Sequence, residues 1–446
     1  MGNTQQNKTI NSQRKIELRN DEKYIHIMKY MGSKRELLPD IREEIDKISS
    51  EGEGVLDIFA GTGSVGVYLR DKYDVISNDV QSYSGVICDA LISSCSHEID
   101  FNKDLLSKIK KSFKKNRSAL LEMFPKTVDK SRKFVITEKR GWTEEGRLKY
   151  IKFFESFPSP VNKFKTRSTE LKRLYEQYLE RECKANKFPY MQTTFLFSET
   201  YFSIEQCIDI DSIRYAIDKC LDGKIEKQIA LAALVYAHSY CSSGTGHFAQ
   251  FRDLKDVKSI NDVFLYRDRC VWAYFIKKLE EIIEFQKYYP ERDHLSVNMD
   301  YRELLNDKDI MKRVDVIYAD PPYSFVHYSR FYHATESLIK YDYMLPAFKG
   351  RYRTDRHQSP FCQKQNVAKA FEYLYDAASK NRKKVILSYA DTAMISLAEL
   401  EEIATDKGLT FDAREIDYDH STMGREGHKS NQIKEYLVTS TFRERQ

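Results

Sequence analysis

The stretch VLDIFAGTGSVGVYL (55–69) narrows the fold more than any other part of the chain. A short apolar run ends in Asp57, a loop with glycines at 61 and 63 follows, and apolar residues then resume as in a helix start. DVISND (74–79) reads as a second strand that ends in Asp79. Strand, glycine loop, helix and strand in this order form the first half of a doubly wound α/β sheet. Glycine permits a positive φ and close backbone approach, so a ligand can lie against such a loop. Asp79 stands where an acid accepts hydrogen bonds from both hydroxyls of a ribose. The loop is not GxGxxG followed by a nicotinamide-type domain, and it is not GxxxxGK[ST], which favours a nucleoside without phosphates as its ligand. S-adenosylmethionine, a cationic nucleoside, would set its positive end toward Asp57 and its ribose toward Asp79. An ordinary tight turn with a helix-capping acid is the competing reading of the same residues.

VDVIYADPPYS (314–324) is the second constraint. An apolar strand stops on Asp320, Pro321, Pro322 and Tyr323, at the carboxyl end where open α/β sheets place ligands. Proline fixes its own φ and restricts the residue before it, so two in a row hold Asp320 and Tyr323 in fixed relation. An acceptor and an aromatic platform around one planar group suit methylation of an exocyclic amine. A carboxylate and a backbone carbonyl accepting both N–H bonds would make the nitrogen lone pair available. Tyr323 would stack on the base, and a base within a duplex would have to be flipped out to arrive there.

Between these motifs the pattern changes. From about Phe101 to Tyr190 the chain is lysine-rich, with 24 lysines and arginines against 11 acids, in a protein whose net charge is only +5. A basic segment on an acidic body suits a phosphate backbone, and it also suits a solvated helical surface. Further helices follow to about residue 290, so nearly 200 mainly helical residues interrupt the α/β pattern. It resumes with strands in HLSVNMDY, VDVIYADPPY and KKVILSY, and closes with AREIDY and KEYLVTSTF as an antiparallel pair. Ahead of the glycine loop, KYMGSKRELLPDIREEIDKI (29–48) predicts a glycine turn and then an amphipathic helix with Pro39 in its first turn.

The eight cysteines show no zinc spacing and are expected to be free thiols. No apolar run is long enough to span a membrane, and the first residues lack the apolar stretch of a signal peptide. A soluble cytoplasmic protein is the expectation.

The motifs in this order, KYMGSK, then DIFAGTG, a long insertion and DPPY, resemble the Dam-type (alpha-group) S-adenosylmethionine-dependent adenine-N6 DNA methyltransferases. The resemblance covers roughly residues 24–90 and 294–446. It implies that Asp320, Pro321, Pro322 and Tyr323 are catalytic. It assigns Tyr30, Lys34, Asp57, Phe59, Gly61, Gly63, Asp79, Asp300 and Tyr301 to the cofactor, with Lys34 at its carboxylate end and Tyr301 beside its adenine. Lys29 matches a lysine that reaches DNA in such enzymes. Ser33 and Tyr301 depart from the family's glycine and phenylalanine. His247, Tyr328 and Arg330 are further candidates for DNA contact, as are the runs KIKKSFKKNR (108–117) and TMGREGHKSNQ (422–432).

The implied fold is α/β: a class I methyltransferase doubly wound sheet with a closing antiparallel hairpin, plus a large, mainly helical inserted target-recognition domain. The expected division is a disordered tail (1–22), the first catalytic part (23–97), the helical basic insertion (98–290) and the second catalytic part (291–446). The expected function is site-specific methylation of a flipped-out adenine in double-stranded DNA, of a restriction–modification or phage type. S-adenosylmethionine would be the donor, without a metal or a membrane, and any cognate restriction endonuclease would act separately. Ribosomal RNA adenine-N6 methylation and a non-catalytic DNA-binding module are the rivals.

Overall fold

A computed structural model describes residues 24–32, 34–96, 101–138, 141–159, 162–181, 187–244, 246–322, 325, 327–348, 350–416 and 434–443. The tail expected at 1–22 and the run TMGREGHKSNQ lie outside these residues.

Seven strands form one sheet: β1 (Gly54–Asp57), β2 (Asp74–Asn78), β3 (Leu295–Val297), β4 (Val316–Ala319), β5 (Lys384–Ala390), β6 (Asp412–Ile416) and β7 (Glu435–Ser440). Their spatial order is β3-β2-β1-β4-β5-β7-β6. The strands from β3 through β5 pair in parallel, and β7 runs antiparallel to both β5 and β6. The expected closing pair is thus present, with β7 inserted between β5 and β6.

The central strands are buried on both sides, which is why they read as nearly unbroken apolar runs. Successive residues enter different cores because side chains alternate across a strand. Val55, Val75, Val316 and Ile386 join one cluster, whereas Leu56, Ile76, Ile317 and Leu387 join another. The second cluster is completed by helices Tyr301–Asn306, Val367–Lys380 and Leu397–Asp406. The first extends through the inserted segment, where helices Lys224–Cys241 and Val271–Gln286 pack on Ser82–Leu91. Much of the insertion is therefore continuous with the core that supports the sheet.

Inside the insertion, Glu199 acts as a hub. Its carboxylate accepts hydrogen bonds from Tyr150 (2.6 Å), Ser131 (2.8 Å) and the Ile204 backbone (2.9 Å), and it pairs with Arg267 at 2.6 Å. Glu199 and Arg267 are 0% and 1% exposed, so the pair organises the helices around it in a dry interior. Helix Lys103–Met123 buries Ile109, Phe113, Asn116 and Leu120, and Lys108, Lys110, Lys111, Lys114 and Lys115 point outward. Among the described residues, no helix is long and apolar enough to cross a membrane. Cys88, Cys207, Cys220, Cys241, Cys270 and Cys362 are free thiols.

Candidate active site

Four parallel strands deliver four acids to one edge of the sheet. Asp57 ends β1, Asp79 and Asp300 follow β2 and β3, and Asp320 follows β4. All four line one cleft of about 1110 Å³, together with Tyr30, Lys34, Phe59, Gly61, Tyr301, Pro321 and Pro322. Hydrogen bonds across the strand ends hold this edge: Ile58 N–H donates to Tyr318, Ala60 N–H to Asn78, and the Asn78 amide to Ile58.

The glycine loop turns where Gly61 and Gly63 adopt φ of 54° and 72°. A Cβ at Gly61 would meet the Tyr30 hydroxyl at 2.9 Å, so this position demands glycine for space as well as conformation. Tyr30 itself stacks on Tyr332 with ring centroids 4.9 Å apart, and the Tyr332 hydroxyl accepts the Met31 N–H at 2.7 Å. The leading motif is thus pinned against the glycine loop by the segment that follows DPPY.

Asp57 is fully buried, and burial, with Asp320 and Asp79 nearby, pushes its carboxyl well above the usual range. Among the described residues its Oδ1 has no hydrogen-bond partner. Leaving a buried carboxylate oxygen unpaired costs free energy, and a cationic or donating ligand group in the cleft would offset it. Asp79 accepts Gly61 N–H (3.0 Å) and Gln81 N–H (2.8 Å), and burial raises it to about 6. Tyr301 is wedged beside Phe59 (5.9 Å) and Phe361 (5.2 Å), forming an apolar wall near Asp300. Four carboxylates against one lysine on this lining favour a cationic nucleoside, so the residues fit S-adenosylmethionine.

Asp320 is raised to about 6 by burial, against which Lys34 lowers it and Glu435 raises it. The buried Lys34 ammonium lies 3.5 Å from Asp320 and 3.5 Å from Glu435. Lys34, expected at the cofactor's carboxylate end, lies between Asp320 just after β4 and Glu435 at the start of β7. The Cys362 thiol donates to the Pro322 carbonyl at 3.4 Å, which steadies the rigid tip. Tyr323 and the side chain of Tyr328 lie outside the described residues.

The DNA-contact candidates fall elsewhere. The Lys29 ammonium lies over the rings of Tyr266 (5.3 Å) and Tyr240 (5.5 Å). His247 packs on Phe331 (4.9 Å) and accepts the Ala249 N–H, and burial lowers its imidazole. Arg330 is partly buried, and its backbone carbonyl lies against His333. None of these three lines the cleft.

The cleft also contains residues that sequence reasoning missed. His327 and Ser329 come from SFVHYSRF, and His357 and Ser359 from GRYRTDRHQSPF. The second segment's mixture of arginines, histidine and serine was the available signal. Glu435 was missed as well, and nothing local distinguishes it from other strand acids.

Residues 30–213 match the D12 class N6 adenine-specific DNA methyltransferase family. The resemblance read from the motifs is borne out at family level. Modification methylase LlaI of Lactococcus lactis subsp. lactis is 24% identical over 92% of this chain and 55% of its own length. Type II methyltransferase M.FokI of Planomicrobium okeanokoites is 24% identical over 86% of this chain and 47% of its own. Modification methylase StsI of Streptococcus sanguinis is 24% identical over 84% and 46%, respectively. The chain spans about half the length of these curated relatives.

Proposed function

We propose that this chain is a site-specific methyltransferase that modifies adenine N6 in double-stranded DNA, built on a class I doubly wound sheet. One observation carries the reading: Asp320-Pro-Pro, at the tip of β4, faces the same cleft as the glycine loop and Asp79. When bound, S-adenosylmethionine supplies a methyl group on a cationic sulfur. Asp57 would hold its positive end, Asp79 its ribose hydroxyls, and Phe59 and Tyr301 its adenine face.

The chain's own residues perform the rest. The Asp320 carboxylate and a backbone carbonyl of the proline tip accept the two N–H bonds of the target amine, drawing its lone pair out of the ring. Tyr323 stacks on the flipped base, and the rigid prolines fix the amine's position in the cleft. Lys34 and Glu435 hold Asp320 in place and set its charge. Residues 98–290 supply target recognition, and the modification protects sites from a nuclease acting as a separate chain.

The test is transfer from radiolabelled S-adenosylmethionine to unmethylated plasmid DNA or to ribosomal RNA, followed by identification of the labelled nucleoside. N6-methyladenine in the plasmid is the expected product. Label confined to RNA, or recovered as N4-methylcytosine, would sink this reading, and failure to bind cofactor would support a silent DNA-binding module.

A further inference from the structure

The segment after DPPY contains a loop that neither the motifs nor the cleft chemistry explains. Ala347 and Tyr352 form a bridge in which the Ala347 N–H donates to the Tyr352 carbonyl at 2.8 Å. At its tip, Phe348 is 71% exposed and adopts φ of 50°. A large residue in left-handed backbone, with its ring in water, gains neither burial nor relaxed geometry. The surrounding structure enforces it. Arg353, 2% exposed, donates to Asp342 (3.0 Å), Asp355 (2.9 Å) and Ser337 (3.2 Å), and so ties the loop to helix His333–Lys340. Tyr341 and Tyr343, also at positive φ, are bonded to Asp211 and the Met191 backbone of the insertion.

The exposed ring begins a ladder that ends at the cleft. The Phe348 ring lies 4.7 Å from that of Tyr352, and the Arg356 guanidinium sits 4.2 Å over the other ring of that pair. Among the described residues, no carboxylate pairs with Arg356. Its charge helps to lower His327, which lines the cleft. Arg356 and His357 also line a second cavity of about 570 Å³, which shares Val80, Gln81, Ser329 and His357 with the cleft. An exposed ring and a cation without a counter-acid among the described residues thus lie between the surface and the mouth of the site.

We infer that Phe348 and Arg356 face DNA: Phe348 stacks against the bases beside the target adenine, and Arg356 neutralises a backbone phosphate at the cleft mouth. This rests on the reading that the substrate is duplex DNA. A ring held out by strained backbone loses little freedom on stacking, and such a wedge supports a duplex from which one base has left. An arginine already positioned over a tyrosine ring meets a phosphate without reordering.

The experiment compares wild type, F348A, F348W and R356Q for methyl transfer to unmethylated plasmid DNA, native and heat-denatured, with calorimetric titration of S-adenosylmethionine. F348A is expected to lose about ten-fold or more in kcat/KM on the duplex and much less on denatured strands, with unchanged cofactor affinity. F348W should restore most of the duplex activity. R356Q should weaken duplex binding and reduce the slope of log Kd against log salt by about 1. Equal activity of F348A and wild type on the duplex, an equal loss on both forms of DNA, or an unchanged salt slope in R356Q would overturn the inference and leave the proposed function standing. Absence of N6-methyladenine with the wild type would overturn both.

Discussion

In the proposed mechanism Asp320 must be ionised to accept the amine's hydrogens, yet burial holds its carboxyl at about 6. The groups facing it are Lys34 from the leading motif, Glu435 at the start of β7, Asp57 at the end of β1 and Tyr318 on its own strand. A step that needs the carboxylate is lost as pH falls through that value. The acid limb of kcat/KM is therefore expected to bend near pH 6 and to fall about ten-fold per pH unit below it. Lys34→Met removes the cation that lowers Asp320, so the limb should move to higher pH. Glu435→Gln removes an anion that raises it, so the limb should move to lower pH. A limb that neither substitution moves would separate this trio from the rate. Asp57, Asp79 and Asp320 were legible in the sequence because local chemistry marks each: a glycine turn, a strand end and a stiff proline pair. Glu435 was not, because β5–β7 pairing brings it to Lys34 from far along the chain.

At the scale of elements, the same distinction appears in how helices end. Helix Ser82–Leu91 has no side-chain cap from its own N-terminal flank. Its first N–H groups are instead accepted by Glu336, which bonds Ser82 and Tyr83 at 3.1 Å each. An acid at a helix N-terminus both satisfies free donors and complements the helix dipole. Glu336→Ala should destabilise the protein by about 1 kcal/mol in urea unfolding, with Glu336→Gln recovering only part of it, since its amide keeps one acceptor for the two N–H groups. The sequence holds no mark of this cap, since a cap supplied by a segment so distant in sequence leaves no local pattern. The hub in the insertion is a harder case. Removing Glu199 would strand Arg267 as a buried, unpaired charge, so Glu199→Ala should cost about 3–5 kcal/mol. A loss below 1 kcal/mol would mean that water or another acid reaches Arg267.

For the whole molecule, charge is divided as the sequence suggested, and the fold gives that division a surface. The sheet's ligand edge is acidic, with four carboxylates around Lys34, whereas the insertion carries the excess of lysines and arginines. An acidic cleft favours a cationic cofactor, and a basic insertion favours the phosphates of a long polyanion. Sequence could not choose between a phosphate-tracking helix and a solvated one at 108–117, because either places lysines opposite the same buried stripe. The fold settles only that Lys108, Lys110, Lys111, Lys114 and Lys115 face outward, away from Ile109 and Phe113. Their contribution is measurable because each phosphate neutralised releases condensed counterions, giving a slope of about −0.9 per contact in log affinity against log salt. Replacing all five with glutamine should lower that slope by about 4 and weaken plasmid binding most at low salt, with S-adenosylmethionine affinity unchanged. Such a variant should also raise KM for DNA more than it lowers kcat, since these lysines lie outside the cleft lining. A wild-type slope in the variant would make this face a solvated one and move the phosphate contacts to other parts of the insertion.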